Sequence, residues 1–382
     1  MSDKGRKAKR SVFFFDYTML FIVIFLLLFG LVMLYSVSSY EANLKYGDSG
    51  FYLKKQALAS VIGVVAMFVI MMIDYHILAK FSLIAYIVSF VLIMLVLTPL
   101  GYEAGGARRW LNLGLSLQPA EVAKLALIVF FADLVSRMAD NVRDFKDLFK
   151  IVLFAMPHAG AILLVTKNLS SAIIVFCIVL VMLFVATPNY KEYLIMAAVL
   201  VGIAVIFVIL INYDVIPASI SFRFARVKAW LDPESYAEDK GFQTLQALYA
   251  IGSGDYFGKG LGQSIQKLGY LPEAQNDMIF SIICEELGLF GAFAVILLFF
   301  LLIWRFLVVA YNARDRFGAL LVVGVMAHIS IQVVLNIAVV TNTIPNTGIT
   351  LPFISYGGSS AVFLLLEIGI VLNVSRSIRF EE

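Results

Sequence analysis

The sequence predicts an all-α polytopic membrane protein: one bundle of ten transmembrane helices, with a large extracellular segment between the seventh and eighth. Three observations predict it. Of 382 residues, 62% are hydrophobic and 14% charged, and the mean hydropathy is +0.94, more apolar than a water-soluble domain needs. The apolar residues gather in runs of about 20, the length a helix needs to cross a hydrocarbon core of roughly 30 Å. Lys and Arg are divided unevenly between alternate connections, as cytoplasmic loops require.

Taken in order, the predicted spans are 17–39, 54–73, 77–98, 119–137, 151–166, 169–187, 193–213, 278–307, 316–340 and 359–376. Residues 1–16 form a basic N-terminus (Lys4, Arg6, Lys7, Lys9, Arg10), and the apolar run behind it is too long for a signal peptide, so it reads as a retained first helix. With that end cytoplasmic, the inner side also collects Lys80, Arg137, Arg143, Lys146, Lys150, Lys191, Arg305, Arg314, Arg316, Arg376 and Arg379, sixteen of the 29 Lys and Arg. Seven remain outside once the six of the long segment 214–276, which the rule exempts, are set aside. Both termini are therefore expected inside, including the tail 377–382, and the chain 1–382 reads as a single integral membrane domain. Cys177 and Cys284 lie inside apolar runs and form no metal or disulfide pattern.

Three substantial segments then face outward: 99–118, 214–276 and 341–358. Within 219–231, Ile220, Phe224, Val227 and Leu231 recur at helical spacing, with Arg223 and Arg226 on the other face, which predicts an amphipathic helix. A short helix ended by glycine follows in GFQTLQALYAIGSG, and then Gly258, Gly260 and Gly262. Those glycines superficially suggest a nucleotide loop, but no strand precedes them and no long amphipathic helix follows. No nucleic-acid partner is expected. The segment 341–360 carries two prolines, three glycines and many hydroxyls, so it predicts a re-entrant loop lining a cavity.

Ionisable groups within apolar spans are functional candidates by default: Glu121, Lys124, Asp133, His158, Lys167, Glu285, Glu286, His328 and Glu367. Glu121 and Lys124 share a helix face and can pair, as a structural ion pair or as a substrate contact. Asp133 and Arg137 read as a structural pair, and the two histidines as satisfied core residues. Glu285 or Glu286 is placed to anchor a buried arginine. In 271–291, LPEAQNDMIFSIICEELGLFG, an acidic turn-forming cluster gives way at once to a membrane-length apolar run. Asp277 sits at that junction, where water, headgroups and hydrocarbon meet. It can be a helix N-cap, or the acid or base for a lipid-linked substrate. Arg108 and Arg109 beside Trp110, with the basic helix, suit an anionic amphiphile such as a lipid pyrophosphate.

At these residues the chain resembles the SEDS family (shape, elongation, division and sporulation), the FtsW, RodA and SpoVE proteins of bacterial cell-wall synthesis. The resemblance covers essentially the whole chain. GGARRWLNLGLSLQPAEVAK, the run from Gly241 to Gly291, and TGITLPFISYGGSS match three family motifs, the last leaning toward the FtsW and SpoVE branch. The resemblance implies a peptidoglycan glycosyltransferase that polymerises lipid II on the outer face of the bacterial cytoplasmic membrane, beside a class B penicillin-binding protein. It makes Asp277 the essential outer-loop aspartate and Arg109, Lys124 and Arg226 the basic positions. Glu121, Gln243 and Ser355 are further candidate substrate contacts, and Glu285 and Glu286 are candidate structural charges. Three departures stand out: Gln275-Asn276 precede Asp277 where the family has His-Thr, Lys167-Asn168-Leu169-Ser170 replaces Pro-Asp-Leu-Gly, and Gly105 replaces an Asn.

The implied reaction needs a carboxylate base for a sugar hydroxyl, Asp277, and cationic stabilisation of a leaving pyrophosphate by Arg109, Arg226, Lys124 or a divalent cation. No metal-ligand cluster is visible, so a magnesium or manganese ion would be shared between Asp277 and substrate phosphate. No organic cofactor is expected. A lipid II flippase and a quiet scaffold of a cell-wall synthase are the competing readings. A flippase needs polar stations at both membrane depths, whereas the polar residues here cluster outside.

Overall fold

The computed structural model describes residues 11–13, 15–104, 107–112, 116–138, 145–187, 190–213, 215, 222–238 and 241–381. Lys4, Arg6, Lys7, Lys9, Arg10, Gly105, Arg143 and Ile220 lie outside the described residues, and Lys146, Arg223 and Arg379 are described by backbone alone. The helices run as α1 (Tyr17–Tyr46), α2 (Phe51–Met72), α3 (His76–Lys80), α4 (Ser82–Leu95), α5 (Pro119–Met138), α6 (Phe145–Leu153), α7 (Met156–Val165), α8 (Leu169–Ala186), α9 (Tyr190–Asn212), α10 (Phe222–Leu231), α11 (Phe242–Ser253), α12 (Ile279–Tyr311), α13 (Arg316–Val340) and α14 (Gly358–Ser377). Short strands are β1 (Ser11–Phe13), β2 (Gly101–Ala104), β3 (Ala107–Asn112), β4 (Ser116–Leu117) and β5 (Arg379–Glu381). They qualify the all-α expectation: β2, β3 and β4 form an antiparallel sheet that carries Arg108, Arg109 and Trp110.

Each predicted span falls on helix, and seven helices (α1, α2, α8, α9, α12, α13, α14) are long and apolar enough to cross a membrane. The other three differ for identifiable reasons. Span 77–98 is divided between α3 and α4 at Phe81. Span 119–137 is α5, which carries Glu121, Lys124, Asp133 and Arg137. Span 151–166 is interrupted between α6 and α7, where Pro157 occupies the first turn of α7, since proline cannot donate to a preceding turn.

The bundle is centred on α13 and α14, with 67% and 72% of their apolar windows buried, against 6% for α9 at the rim. Close contact of α14 with α2 depends on small residues: a Cβ on Gly63 would come within 2.6 Å of Leu365, and one on Gly369 within 2.6 Å of the Met67 carbonyl. The outward faces of α1, α2, α4 and α9 remain apolar (Phe21, Leu58, Leu83 and Leu200 are exposed), a surface that suits hydrocarbon as solvent. Strands β1 and β5 pair antiparallel, so both described ends meet at one face of the bundle. Near the starts of α1 and the end of α12, Arg305 bonds Asp16 at 2.9 Å.

Two departures from regular helix shape the half of the bundle that holds Asp277. The backbone of α12 breaks at Gly288 (φ 66°, ψ −166°). Residues 254–260 wedge against the break: Lys259 and Gly260 N–H donate to the Glu285 and Glu286 carbonyls at 2.9 Å, and Leu289 and Phe290 N–H donate to Asp255 and Tyr256 carbonyls at 2.9 and 3.2 Å. Of the glycines that superficially suggested a nucleotide loop, Gly258 is there because backbone meets backbone, since a Cβ on it would clash with the Glu286 carbonyl, whereas Gly260 and Gly262 have φ of +102° and +83°. A Cβ on Gly288, at the break itself, would lie 2.5 Å from the Tyr256 oxygen. The second departure is 341–357, which runs as irregular backbone with Ile349, Leu351, Phe353 and Ile354 buried. It presses into the bundle as far as Gly30 in mid-α1, where a Cβ would come within 2.6 Å of the Phe353 oxygen.

Candidate active site around Asp277

Asp277 precedes α12 by two residues, and it does not cap that helix. The N-cap is Met278, with no side-chain cap bond. Asp277 is buried, 7% exposed, and among the described residues its Oδ1 has no hydrogen-bond partner. Burial, reinforced by the neighbouring Glu273, pushes the carboxyl up to about 7 even though Arg226 pulls it down. The carboxyl is thus poised to exchange a proton near neutral pH, which a helix cap has no need to do.

The surrounding frame is built largely from 341–357. Asn336, on α13, donates to the Asp277 carbonyl at 2.8 Å and to the Ile349 carbonyl at 2.7 Å, tying the two loops together. Gln332, one turn deeper, donates to Thr350 at 3.0 Å. Gly348 faces the carboxylate; a Cβ there would lie 3.9 Å from Asp277 Oδ2, and its φ of +68° favours glycine. Tyr356 N–H donates to the Gln275 carbonyl at 2.9 Å. Asn276 turns back to hydrogen-bond Glu273. The residues at the first departure from the family pattern therefore serve the turn that presents Asp277.

Arg226 extends from α10 into the same space, half-buried, with Nη1 donating to the Asn346 carbonyl at 3.2 Å. Burial holds its guanidinium below the usual arginine range, Asp277 acts against that, and Arg109 adds to it. Arg226 therefore senses both Asp277 and Arg109, and two like charges that sense each other favour an anion between them. Arg109, on β3, donates from Nε to the Thr166 carbonyl at 3.3 Å. The helix α10 is no simple headgroup anchor: Trp230 Nε1 donates to the Asn342 carbonyl at 2.9 Å, and Phe224 meets Phe207 of α9 edge-on at 5.2 Å.

The remaining sequence-derived residues are placed differently. Lys124 and Glu121 are buried and paired with each other at 2.7 Å; among the described residues no hydrogen bond joins the pair to Asp277. Gln243 uses both ends of its amide as a strut, donating to Pro272 at 3.2 Å and accepting from Asn346 at 2.8 Å. Buried Ser355 closes a local turn by accepting from Leu351 N–H at 2.8 Å. Glu285 and Glu286 anchor lysines rather than an arginine: Lys259 and Lys267, each at 2.7 Å. The arginine expectation failed because Lys259 comes from the wedge at the α12 break and Lys267 from the turn that follows it. The histidines are core residues with partners, His158 to Ser89 at 3.0 Å and His328 to Glu367 at 2.8 Å, and Arg137 pairs with Asp133 at 2.8 Å.

At the second departure, Asn168 accepts from Ser171 N–H at 3.0 Å and caps α8, a task Asn performs as well as Asp. Ser170 donates to the Thr347 carbonyl at 2.6 Å. Sequence reasoning passed over Asn336 and Gln332 because it searched apolar spans for ionisable groups only. Two neutral amides four apart in such a helix were the available signal. Among the described residues no three His, Cys, Asp or Glu side chains gather as a metal site.

A family model described as a cell cycle protein, covering FtsW, RodA and SpoVE, matches residues 17–379. Stage V sporulation protein E of Bacillus subtilis (strain 168) is 40% identical over 367 residues, 96% of this chain and 98% of that protein. The probable peptidoglycan glycosyltransferase FtsW of Geobacter sp. (strain M18) is 37% identical over 372 residues, 97% of this chain and 99% of that one. Among solved structures, a chain from work on structural coordination of polymerization and crosslinking by a peptidoglycan synthase complex superposes with a TM-score of 0.77 at 27% identity, covering 95% of this chain and 98% of its own. The rod shape determining protein RodA of Thermus thermophilus superposes with a TM-score of 0.68 at 27% identity, covering 95% and 97%. With motifs, fold and near-complete coverage in agreement, the chain belongs to the FtsW, RodA and SpoVE family.

Proposed function

We propose that this protein is a peptidoglycan glycosyltransferase that polymerises lipid II on the outer face of the bacterial cytoplasmic membrane, with ten spans and both termini inside. The observation that carries the reading is Asp277: a buried carboxylate with an oxygen that has no hydrogen-bond partner among the described residues, poised near neutral pH beside Arg226. The sugar 4-hydroxyl of one lipid II attacks the anomeric carbon of a lipid-pyrophosphate-linked chain, with inversion. Asp277 takes the hydroxyl proton, and Arg226 and Arg109 stabilise the charge that develops on the departing pyrophosphate. Lys124, its charge offset by Glu121 at 2.7 Å, is the third basic position that the resemblance implies. A divalent cation bound between Asp277 and the phosphates would supply further charge neutralisation. A class B penicillin-binding protein, cross-linking the new glycan, is the expected partner, in division or sporulation; similarity to a chain of a peptidoglycan synthase complex supports this.

A lipid II flippase is the second reading, favoured by the buried His328–Glu367 pair deeper in the bundle. One experiment separates the two. Asp277→Asn removes the base while keeping size and shape. Purified protein given labelled lipid II is expected to lose polymerisation by about 10²–10⁴-fold while still binding lipid II. Polymerisation within about threefold of wild type, below the smallest effect expected for a lost base, would sink the catalytic assignment. Translocation lost in vesicles with polymerisation unchanged would establish the flippase instead.

A further inference from the structure

A second cavity, of about 720 Å³, opens between the outer half of α1 and the turn at 261–268. Ser36, Ser39, Tyr40 and Asn43 follow one another down one face of α1, Tyr35 and Lys267 add to them, and Val32, Leu261 and Leu268 supply an apolar part of the wall. The floor is a closed polar triad. Lys267 Nζ donates to Glu286 at 2.7 Å and to Ser36 Oγ at 3.1 Å, and Ser36 donates to Glu286 at 2.8 Å. Glu286 is fully buried and Lys267 only 7% exposed. The Asp277 chemistry uses none of these groups.

The lining specifies a ligand class. The charges of Lys267 and Glu286 cancel, so the floor has no net attraction for phosphate, and an anion would approach a buried carboxylate. A lipid tail would cover Ser39 and the amide of Asn43 without replacing their hydrogen bonds with water. A neutral ligand rich in hydroxyls and amides meets all the requirements. Its amide carbonyl can accept from the lysine, whose ammonium has three donors and uses two on the triad. Its hydroxyls can bond Ser39 and Asn43, and the faces of Tyr35 and Tyr40, 46% and 42% exposed, can cover its C–H surface. The cavity volume is that of an ordinary ligand site. Chain 267–277 runs from this cavity directly to Asp277.

We propose that the α1 cavity is a secondary subsite for a neutral N-acetylated oligosaccharide. It holds units of the glycan strand already made while the reacting end lies at Asp277; this use of the sugar rests on the polymerase reading. A polymerase that grips its product there adds many units before release.

The test uses full-length protein in nanodiscs and the tetramer of β-linked N-acetylglucosamine as probe, followed by saturation-transfer NMR on its acetyl methyls. Exposed Asn43 is replaced to fill the mouth (Asn43→Trp) or to remove the amide alone (Asn43→Ala), so a folding failure in one variant leaves the other. Wild type and Asp277→Asn should show equal transfer, both Asn43 variants at least fivefold less, and inorganic pyrophosphate should not compete. With labelled lipid II, Asn43→Trp should give strands at least threefold shorter than wild type. Competition by pyrophosphate, loss of transfer in Asp277→Asn, or wild-type behaviour of both Asn43 variants would overturn the subsite. Lipid II polymerisation without tetramer binding removes the subsite and keeps the polymerase; tetramer binding without polymerisation does the reverse.

Discussion

Asp277 combines two properties that rarely coexist without function: near-complete burial and a carboxyl held near 7 by that burial. If it is the base, polymerisation should rise with pH through a midpoint near 7 as the carboxylate ionises, and the residual rate of Asp277→Asn should lack that inflection. A pH–rate profile that is flat across this range in wild type would remove Asp277 from the proton transfer. Stability should run the other way. The folded value lies above the ordinary 3.8, so the stabilisation of the protonated form is intact below about pH 4 and is lost as pH rises to about 7. Asp277→Asn never ionises, so its thermal stability relative to wild type should grow across that window and level off above it. At 1.36 kcal/mol per pH unit the full difference is roughly 4 kcal/mol. Equal melting temperatures at pH 5 and pH 8 for both proteins would contradict the burial argument.

At the scale of elements, the break in α12 is the feature on which the outer half depends. Gly288 has φ 66° and lies against the backbone of 256–258, so Gly288→Ala imposes both a left-handed strain and a steric clash. Strain at such a position costs of order 1–3 kcal/mol, and displacement of the wedge would add to that. The variant should melt at lower temperature and lose the Lys259–Glu285 and Lys267–Glu286 pairs; melting followed by tryptophan fluorescence, with hydrogen exchange at 254–260, checks both. Unchanged protection of 254–260 would mean that the wedge holds without the glycine. The loop 341–357 works by the same logic from the other side. Its carbonyls are taken up by Arg226, Trp230, Ser170, Gln332 and Asn336, so irregular backbone is satisfied by protein where lipid could not satisfy it.

For the molecule as a whole, topology is the quantity at stake. The pairing of β1 with β5 brings both described ends to one face, and basic asymmetry predicts that this face is the cytoplasmic one. Within 214–276, Ser264 is 3% exposed and hydrogen-bonded to Glu285, whereas Glu234 is exposed, so the topology test belongs at Glu234. In a Cys177→Ser background, Glu234→Cys should react with an impermeant maleimide from outside intact cells. Reaction only after the membrane is opened would invert the topology and remove the proposed site from the outer face.

The sequence by itself determined which stretches are helical, because a run of about 20 apolar residues has few other ways to satisfy its backbone in lipid. It also marked Asp277, since a carboxylate at the edge of such a run is conspicuous, and the glycine and proline content of 341–357 announced irregular backbone. What only the tertiary structure decided is which groups meet. Arg109, Arg226 and Asp277 come from three distant segments, and nothing local dictates their convergence. The roles of Asn336 as a clamp, Gln243 as a strut and Lys259 and Lys267 as partners of Glu285 and Glu286 were equally hidden. Apolar periodicity is a property of one segment against its solvent, whereas a polar contact is chosen by two segments at once, through the cost of leaving either group buried and unpaired.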